Sequence, residues 1–250
     1  MRPAIAALLA ALLMTTGLRA EEPVIAEARQ MLDEADRDPS AIERARDHLE
    51  RAVAGGGAER ADPAIVIELS RLWYLHGELR ATDGETRLAA FDRGRGLGET
   101  AVRRAPQDAR AHLWYAINLG RFAEERGILG AVFELRRVKH EVAEALRLAP
   151  DLPDAHVFAG GLARHLPGFM GGDPARAEEH FRRAVALDPR RTRFHLELAE
   201  FLLEADRIDE ARAELRRVLD EREPSDRLFT TLHDRPRAEK RLAELGDSAR

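Results

Sequence analysis

The run Ala177-Glu178-Glu179-His180-Phe181-Arg182-Arg183-Ala184-Val185-Ala186-Leu187-Asp188-Pro189 decides the fold. Its small or apolar positions Ala177, Phe181 and Ala184 follow one another by 4 and 3 residues, which keeps them on one stripe of a helix, and Pro189 comes 5 residues later. A proline there cannot donate to the helix ladder, so the helix stops and a turn begins. The same steps recur in Val138, Val142, Ala145 and Pro150, and in weaker form in Gly94, Gly98, Ala101 and Pro106. A further copy, Ala45, Leu49 and Ala52, lacks the proline and opens at Ser40 and Glu43, the form of a capping box.

Working outward, Pro63, Pro106, Pro150, Pro189 and Pro224 are separated by 43, 44, 39 and 35 residues. Ten residues past the middle three lie Ala116, Gly160 and Ala199, small side chains where two helices of a pair must approach closely. This pattern resembles the tetratricopeptide repeat, with a small residue in the first helix of each pair and Ala, an aromatic or Leu, then a closing Pro in the second. The fold expected is all-α: a tetratricopeptide-like helical-repeat solenoid, a right-handed superhelix of antiparallel helix pairs. About five irregular pairs fill residues 21–224, and residues 225–250 form a C-terminal capping helix and tail.

The family period is about 34 residues, so two units carry insertions. One is expected as a loop near Gly127-Ile128-Leu129-Gly130-Ala131-Val132-Phe133. The other is the turn from Leu166 to Pro174, where Asp173 is a natural N-cap and Pro174 a natural first helical residue. Phe169 and Met170 are then apolar residues on a loop, either folded back as a lid or offered to a ligand.

Composition agrees with a helical domain and narrows its chemistry. Of 250 residues, 44% are hydrophobic and 34% charged, with 40 basic against 45 acidic side chains and no cysteine. Disulfides, thiol catalysis, cysteine-bound metals and lipidation of an N-terminal cysteine are thereby excluded. Arg2, the apolar run from Ala4 to Met14, and Leu18-Arg19-Ala20 before Glu21 read as a cleavable secretory signal over residues 1–20. An uncleaved anchor is the alternative. Cleavage removes two arginines and leaves 38 basic against 45 acidic side chains, or minus 7. Such a surface has no electrostatic footprint for nucleic acid.

Histidines are the first place to look for a site. His112, His156 and His195 each lie six residues past a proline, one equivalent slot in successive repeats. Helices pack about 8–10 Å apart, too far for these three to share a metal, so structural histidines at the seam within each pair are expected and no metal or other cofactor. Gly94-Arg95-Gly96-Leu97-Gly98-Glu99-Thr100 fails as a phosphate loop, because Glu99 stands where a lysine is needed. No nucleophile, base and orienting group stand out, so no catalytic residue and no enzyme is expected.

Binding is different, since a solenoid presents a concave face made by the first helix of each pair. Residues seven and eleven past each proline are expected to point inward: Leu113 and Ile117, Val157 and Gly161, Leu196 and Glu200. Trp114, Tyr115, Asn118, Arg121 and Phe122 crowd the same helix, able to fix a polar head beside an apolar body. The candidate ligand or partner groove is therefore Leu113, Trp114, Ile117, Asn118, Arg121, Phe122, Val157, Phe169 and Met170. It lacks the Lys, Arg and Asn set with which some repeat proteins clamp a chaperone tail.

The stretch Trp114-Tyr115-Ala116-Ile117-Asn118-Leu119-Gly120-Arg121, with Gly127-Ile128-Leu129, Leu166-Pro167-Gly168-Phe169 and Gly171-Gly172-Asp173, resembles more specific families. These are the T-component (TatT) proteins associated with TRAP transporters, and the eukaryotic regulators of microtubule dynamics. The first resemblance implies a water-soluble periplasmic protein with a pore or groove for an apolar small molecule, partnering a periplasmic solute-binding protein. The absent lipid-anchor cysteine departs from it. The function expected is a non-enzymatic, exported, periplasmic or secreted binding or transporter-accessory protein. A protein-interaction scaffold of the cell envelope is the alternative, and assembly of several copies stays open.

Overall fold

The computed structural model describes residues 23–246, so the expected signal lies outside the described residues. Among the described residues the secondary structure is helical throughout. Ten long helices form five consecutive pairs: α1 (Pro23–Leu32) with α2 (Ala41–Ala54), α3 (Pro63–Leu79) with α4 (Gly84–Arg104), α5 (Ala109–Glu125) with α6 (Gly127–Leu148), α7 (Pro153–His165) with α8 (Pro174–Leu187), and α9 (Thr192–Glu204) with α10 (Ile208–Asp220). A last helix, α11 (Arg235–Glu244), follows a short turn at Arg227–Phe229 and a π-helical turn at Thr230–Asp234.

Local signals set the helix starts. Asp62, Asp83, Asp108 and Asp173 each accept a hydrogen bond from a first-turn backbone N–H, which satisfies donors that no helix can pair internally. Pro174 takes the first helical position after Asp173 as its type predicts. Pro63 differs from the later repeat prolines, because it opens α3 rather than closing the helix before it. The capping box at Ser40 does not form: Ser40 turns back and donates to Asp38 Oδ1 at 2.6 Å.

The ladder residues are the core of each pair. Ala177, Phe181, Ala184, Val138, Val142, Ala145 and Ala101 are all buried. In α2 the stripe runs through Ala45 and Leu49 to Val53, while Ala52 faces solvent. The glycines of the weak copy are there for contact. A Cβ on Gly98 would stand 2.6 Å from the Tyr115 Cα, and one on Gly94 2.1 Å from the Asn118 side-chain oxygen.

The first insertion is no loop. Its residues form the opening turns of α6, which reaches 22 residues, with Gly127 at φ 78 making the break from α5. An extra two turns of helix satisfy their own backbone bonds, which a loop of the same length could not. The second insertion does stay irregular, folding a 3-10 turn at Gly168–Met170.

As expected from the sequence, α11 caps the stack, with Ala238 and Leu242 packed on Leu196, Leu215 and Val218; the segment that leads into it had no local signal. Before it, the chain returns across the concave side to the first repeats. Leu228 and Phe229 join the core of α1 to α4, Phe229 stacks on Tyr74 at 6.2 Å, and Arg227 donates to Asp36 at 2.7 Å. Behind them, buried Asp234 accepts from the Thr192 hydroxyl at 2.7 Å and anchors the return to α9.

Candidate functional site

The return segment turns the concave face into a bounded cavity of about 1130 Å³. Its wall is built by the first helices of the pairs. The eighth residues past Pro106, Pro150 and Pro189 are Trp114, Phe158 and Glu197, and all three line it. So do the eleventh residues Ile117 and Gly161 and the fifteenth residues Arg121 and His165. Helix α3 adds Arg71, Tyr74, Leu75 and Glu78, spaced as one helical stripe.

Six of the nine residues expected from sequence meet here: Trp114, Ile117, Arg121, Val157, Phe169 and Met170. Three do not. Leu113 is buried against Ile117, Ala145 and Ala155, so in α5 the seventh position serves the seam while the eighth faces the cavity; in α7 the seventh residue, Val157, does line the cavity. Leu196 is turned into the core of the last pair in the same way, and Glu200 is held by Arg237 and Arg241 of α11. Asn118 is fully buried and donates to the Ser70 carbonyl at 3.0 Å, to the Ser70 hydroxyl and to the Trp114 carbonyl. It is a polar knot tying α3 to α5. Phe122 is buried beneath the Arg95 and Arg126 guanidiniums.

The histidines of the sixth slot are elsewhere, at the seams. Nε2 of His112, His156 and His195 lies 3.0, 2.8 and 2.9 Å from the carbonyls of Pro106, Pro150 and Pro189. Each therefore fastens the turn to its helix. Their Nδ1 atoms reach the second helix of the pair: Glu141 at 2.6 Å, His180 at 3.0 Å and Glu214 at 2.6 Å.

The cavity chemistry is aromatic with internally neutralised charge. Tyr74 and Trp114 rings lie 5.7 Å apart, and Phe158, Phe194 and Phe229 continue the apolar wall. Burial, reinforced by Glu78, pushes the Tyr74 phenol up, so it stays protonated. Arg121 pairs with Glu78 at 2.9 Å and Glu124 at 2.6 Å. Arg193 pairs with Glu197 at 3.0 Å, and Arg191 with Asp226 at 3.0 Å and Asp154 at 3.4 Å. Such a wall favours an apolar body with a few oriented polar contacts over a free anion. Val132 and Phe169, which line the cavity, are 48% and 86% exposed, Phe133 next to Val132 is 82% exposed, and the Lys139 ammonium donates to the Met170 carbonyl to tie α6 to the second insertion. Phe169 is thus not buried by its own loop: it lines the cavity from its exposed edge. Among the described residues no group of three or more metal-ligating side chains occurs, and no helix is long and apolar enough to cross a membrane.

Sequence reasoning missed Phe158, although it occupies the slot of Trp114 one repeat on. Phe229 and Arg227 could not have been found that way, since only the long-range return brings them here.

The family model described as regulator of microtubule dynamics protein 1-3 matches residues 24–163. The chain belongs to this family. A tetratricopeptide repeat model matches residues 169–235, within the second half of this regulator-family chain. The rat regulator of microtubule dynamics protein 3 is 30% identical over 92 residues, or 37% of this chain and 19% of the rat protein. The bovine protein 2 is 33% identical over 67 residues, 27% of this chain and 16% of that relative. The chain spans less than a fifth of the length of these curated relatives. A thermophilic tetratricopeptide repeat protein of Thermus thermophilus superposes with a TM-score of 0.65 at 19% identity, over 90% of this chain and 100% of that one. That likeness shows the all-α helical-repeat fold. Repeats of this type suggest protein–protein interaction.

Proposed function

We propose that this chain is an exported, non-enzymatic binding protein that encloses the apolar body of a small molecule. The observation that carries the reading is the closure of the concave face. A groove for an extended peptide runs open at its ends, whereas here Phe229 on Tyr74 and Arg227 on Asp36 bound it. Trp114, Phe158 and Ile117 would hold the apolar part, and the Arg121 and Glu78 pair would orient a polar end. A periplasmic solute-binding protein as partner, the transporter-accessory role, extends this reading. Native mass spectrometry of protein purified from its own cells should show a co-purifying small molecule. A clean apo mass contradicts the proposal.

A second reading, a scaffold of the cell envelope, is favoured by the exposed apolar side chains Val132, Phe133 and Phe169. Crosslinking that returns one stoichiometric protein partner and no bound small molecule would select it.

A further inference from the structure

The seam of the α7/α8 pair breaks the pattern of its neighbours. In the pairs on either side, the histidine of the sixth slot faces a carboxylate, Glu141 or Glu214. Here His156 faces another imidazole, His180, with the two Nδ1 atoms 3.0 Å apart and the ring centroids 5.2 Å apart. The carbonyl of Pro150 lies 2.8 Å from His156 Nε2 and can only accept, so Nε2 carries the His156 proton. The lone pair of His156 is therefore on Nδ1, aimed at His180. A backbone carbonyl that fixes the tautomer of one ring nitrogen and leaves the other free is the arrangement that supports metal-ligating histidines.

We propose that His156 and His180 form a two-imidazole site for a divalent transition-metal ion. With metal–nitrogen bonds of roughly 2.0–2.1 Å, nitrogens 3.0 Å apart subtend an angle of about 90° at the ion. That is the angle of adjacent ligands in square-planar or tetragonal copper(II) and nickel(II), and narrower than a tetrahedral zinc site requires. Copper(II) also stands at the top of the affinity order for nitrogen ligands. Both rings are half-buried at the surface, so water completes the coordination. The charges nearest His180 on its own helix, Arg176 and Glu179, are of opposite sign. Binding needs no redox partner and no net loss of protons. The His180 proton moves from Nδ1, where it had donated to His156, to Nε2, and both rings ligate through Nδ1 as neutral imidazoles.

The test is titration of the full chain with copper(II) alone, followed by calorimetry and electron paramagnetic resonance. The expected result is a one-to-one site whose spectrum shows two imidazole nitrogens, with zinc(II) binding at least about tenfold more weakly. His180→Glu installs the carboxylate found in the neighbouring seams, so the seam is retained while the two-nitrogen signature disappears and copper affinity falls at least about tenfold. His156→Gln provides a second variant that keeps a polar group at the turn. A wild-type spectrum with fewer than two imidazole nitrogens overturns the proposal. So does unchanged affinity in either folded variant.

Discussion

On α5, α7 and α9 the sixth residue past the proline is histidine every time, while the eighth is Trp114, Phe158 and Glu197 in turn. The two positions are neighbours on the same helices with different tasks. The sixth faces the seam, where each helix pair presents the same proline carbonyl, so one side chain solves the same problem three times. The eighth faces the shared cavity, where each helix supplies a different part of one wall. Repetition along the chain marks what holds a repeat together; variation at a fixed register marks what the stack encloses. The α7/α8 seam is the instructive exception, since there the repeated histidine meets a changed partner.

The comparison breaks most visibly if the buried contacts that hold the repeats together, between pairs as well as within them, are not what carries stability. Gly98→Ala pushes a methyl against the Tyr115 backbone and should cost about 3 kcal/mol. Thermal unfolding should drop by roughly 10 °C, and an unchanged Tm would remove close packing between consecutive pairs from the account. Glu214→Ala leaves His195 buried without its carboxylate and should cost about 2 kcal/mol, while ligand affinity is unaffected because neither residue reaches the cavity.

Acid sharpens the contrast between seams. Burial, then the neighbouring His156 and Arg176, holds the His180 imidazole below its ordinary value, so folding disfavours its protonation. The unfolded chain then binds more protons, and stability falls as pH drops through the ordinary histidine range near about 6.5. Burial works to raise the Glu214 carboxyl, but the hydrogen bond and charge of His195, with Arg217, outweigh it and hold it below the ordinary range. Stability from Glu214 is present above the ordinary carboxylate value and is lost only as pH falls through the lower folded value. The Tm of His180→Glu should therefore decline less between neutral pH and the histidine range than that of the parent. Equal declines would show that this seam is not the acid-sensitive one.

The smallest effect belongs to the closure. Arg227 is more than half exposed in its pair with Asp36, so Arg227→Ala should cost less than about 1 kcal/mol. Amide exchange at Leu228 and Phe229 should nonetheless quicken. No change there would mean that the apolar contacts of Phe229 alone hold the return.

The repeat, its helical stripes and the seam histidines were legible in the sequence because each depends on residues a few positions apart. The inward register expected from the prolines holds at the eleventh residues Ile117 and Gly161 but not at every seventh one: it pairs Leu113 with Val157 as equivalents, yet only Val157 reaches the cavity. Asn118 looks functional in sequence because polar side chains are rarely buried, but Ser70, 48 residues earlier, supplies its partner. The contact of Phe229 with Tyr74 spans most of the chain and leaves no periodic trace, so the cavity's closed side was invisible. Relatives in the regulator of microtubule dynamics family match this chain over less than a fifth of their own length.

Gly161 offers the most direct test of the central claim that the inward residues enclose one binding cavity. It lines that cavity in the middle of α7, and a Cβ there meets nothing within 4 Å. Gly161→Phe should therefore fill the space while relieving a helix of glycine, leaving the Tm unchanged or slightly raised. Titration with the amphiphilic dye anilinonaphthalene sulfonate, an aromatic body with one charged end, should then show affinity reduced about tenfold or more against the parent, the loss of about 1.4 kcal/mol or more. A folded Gly161→Phe chain that binds the dye as tightly as the parent would contradict the account.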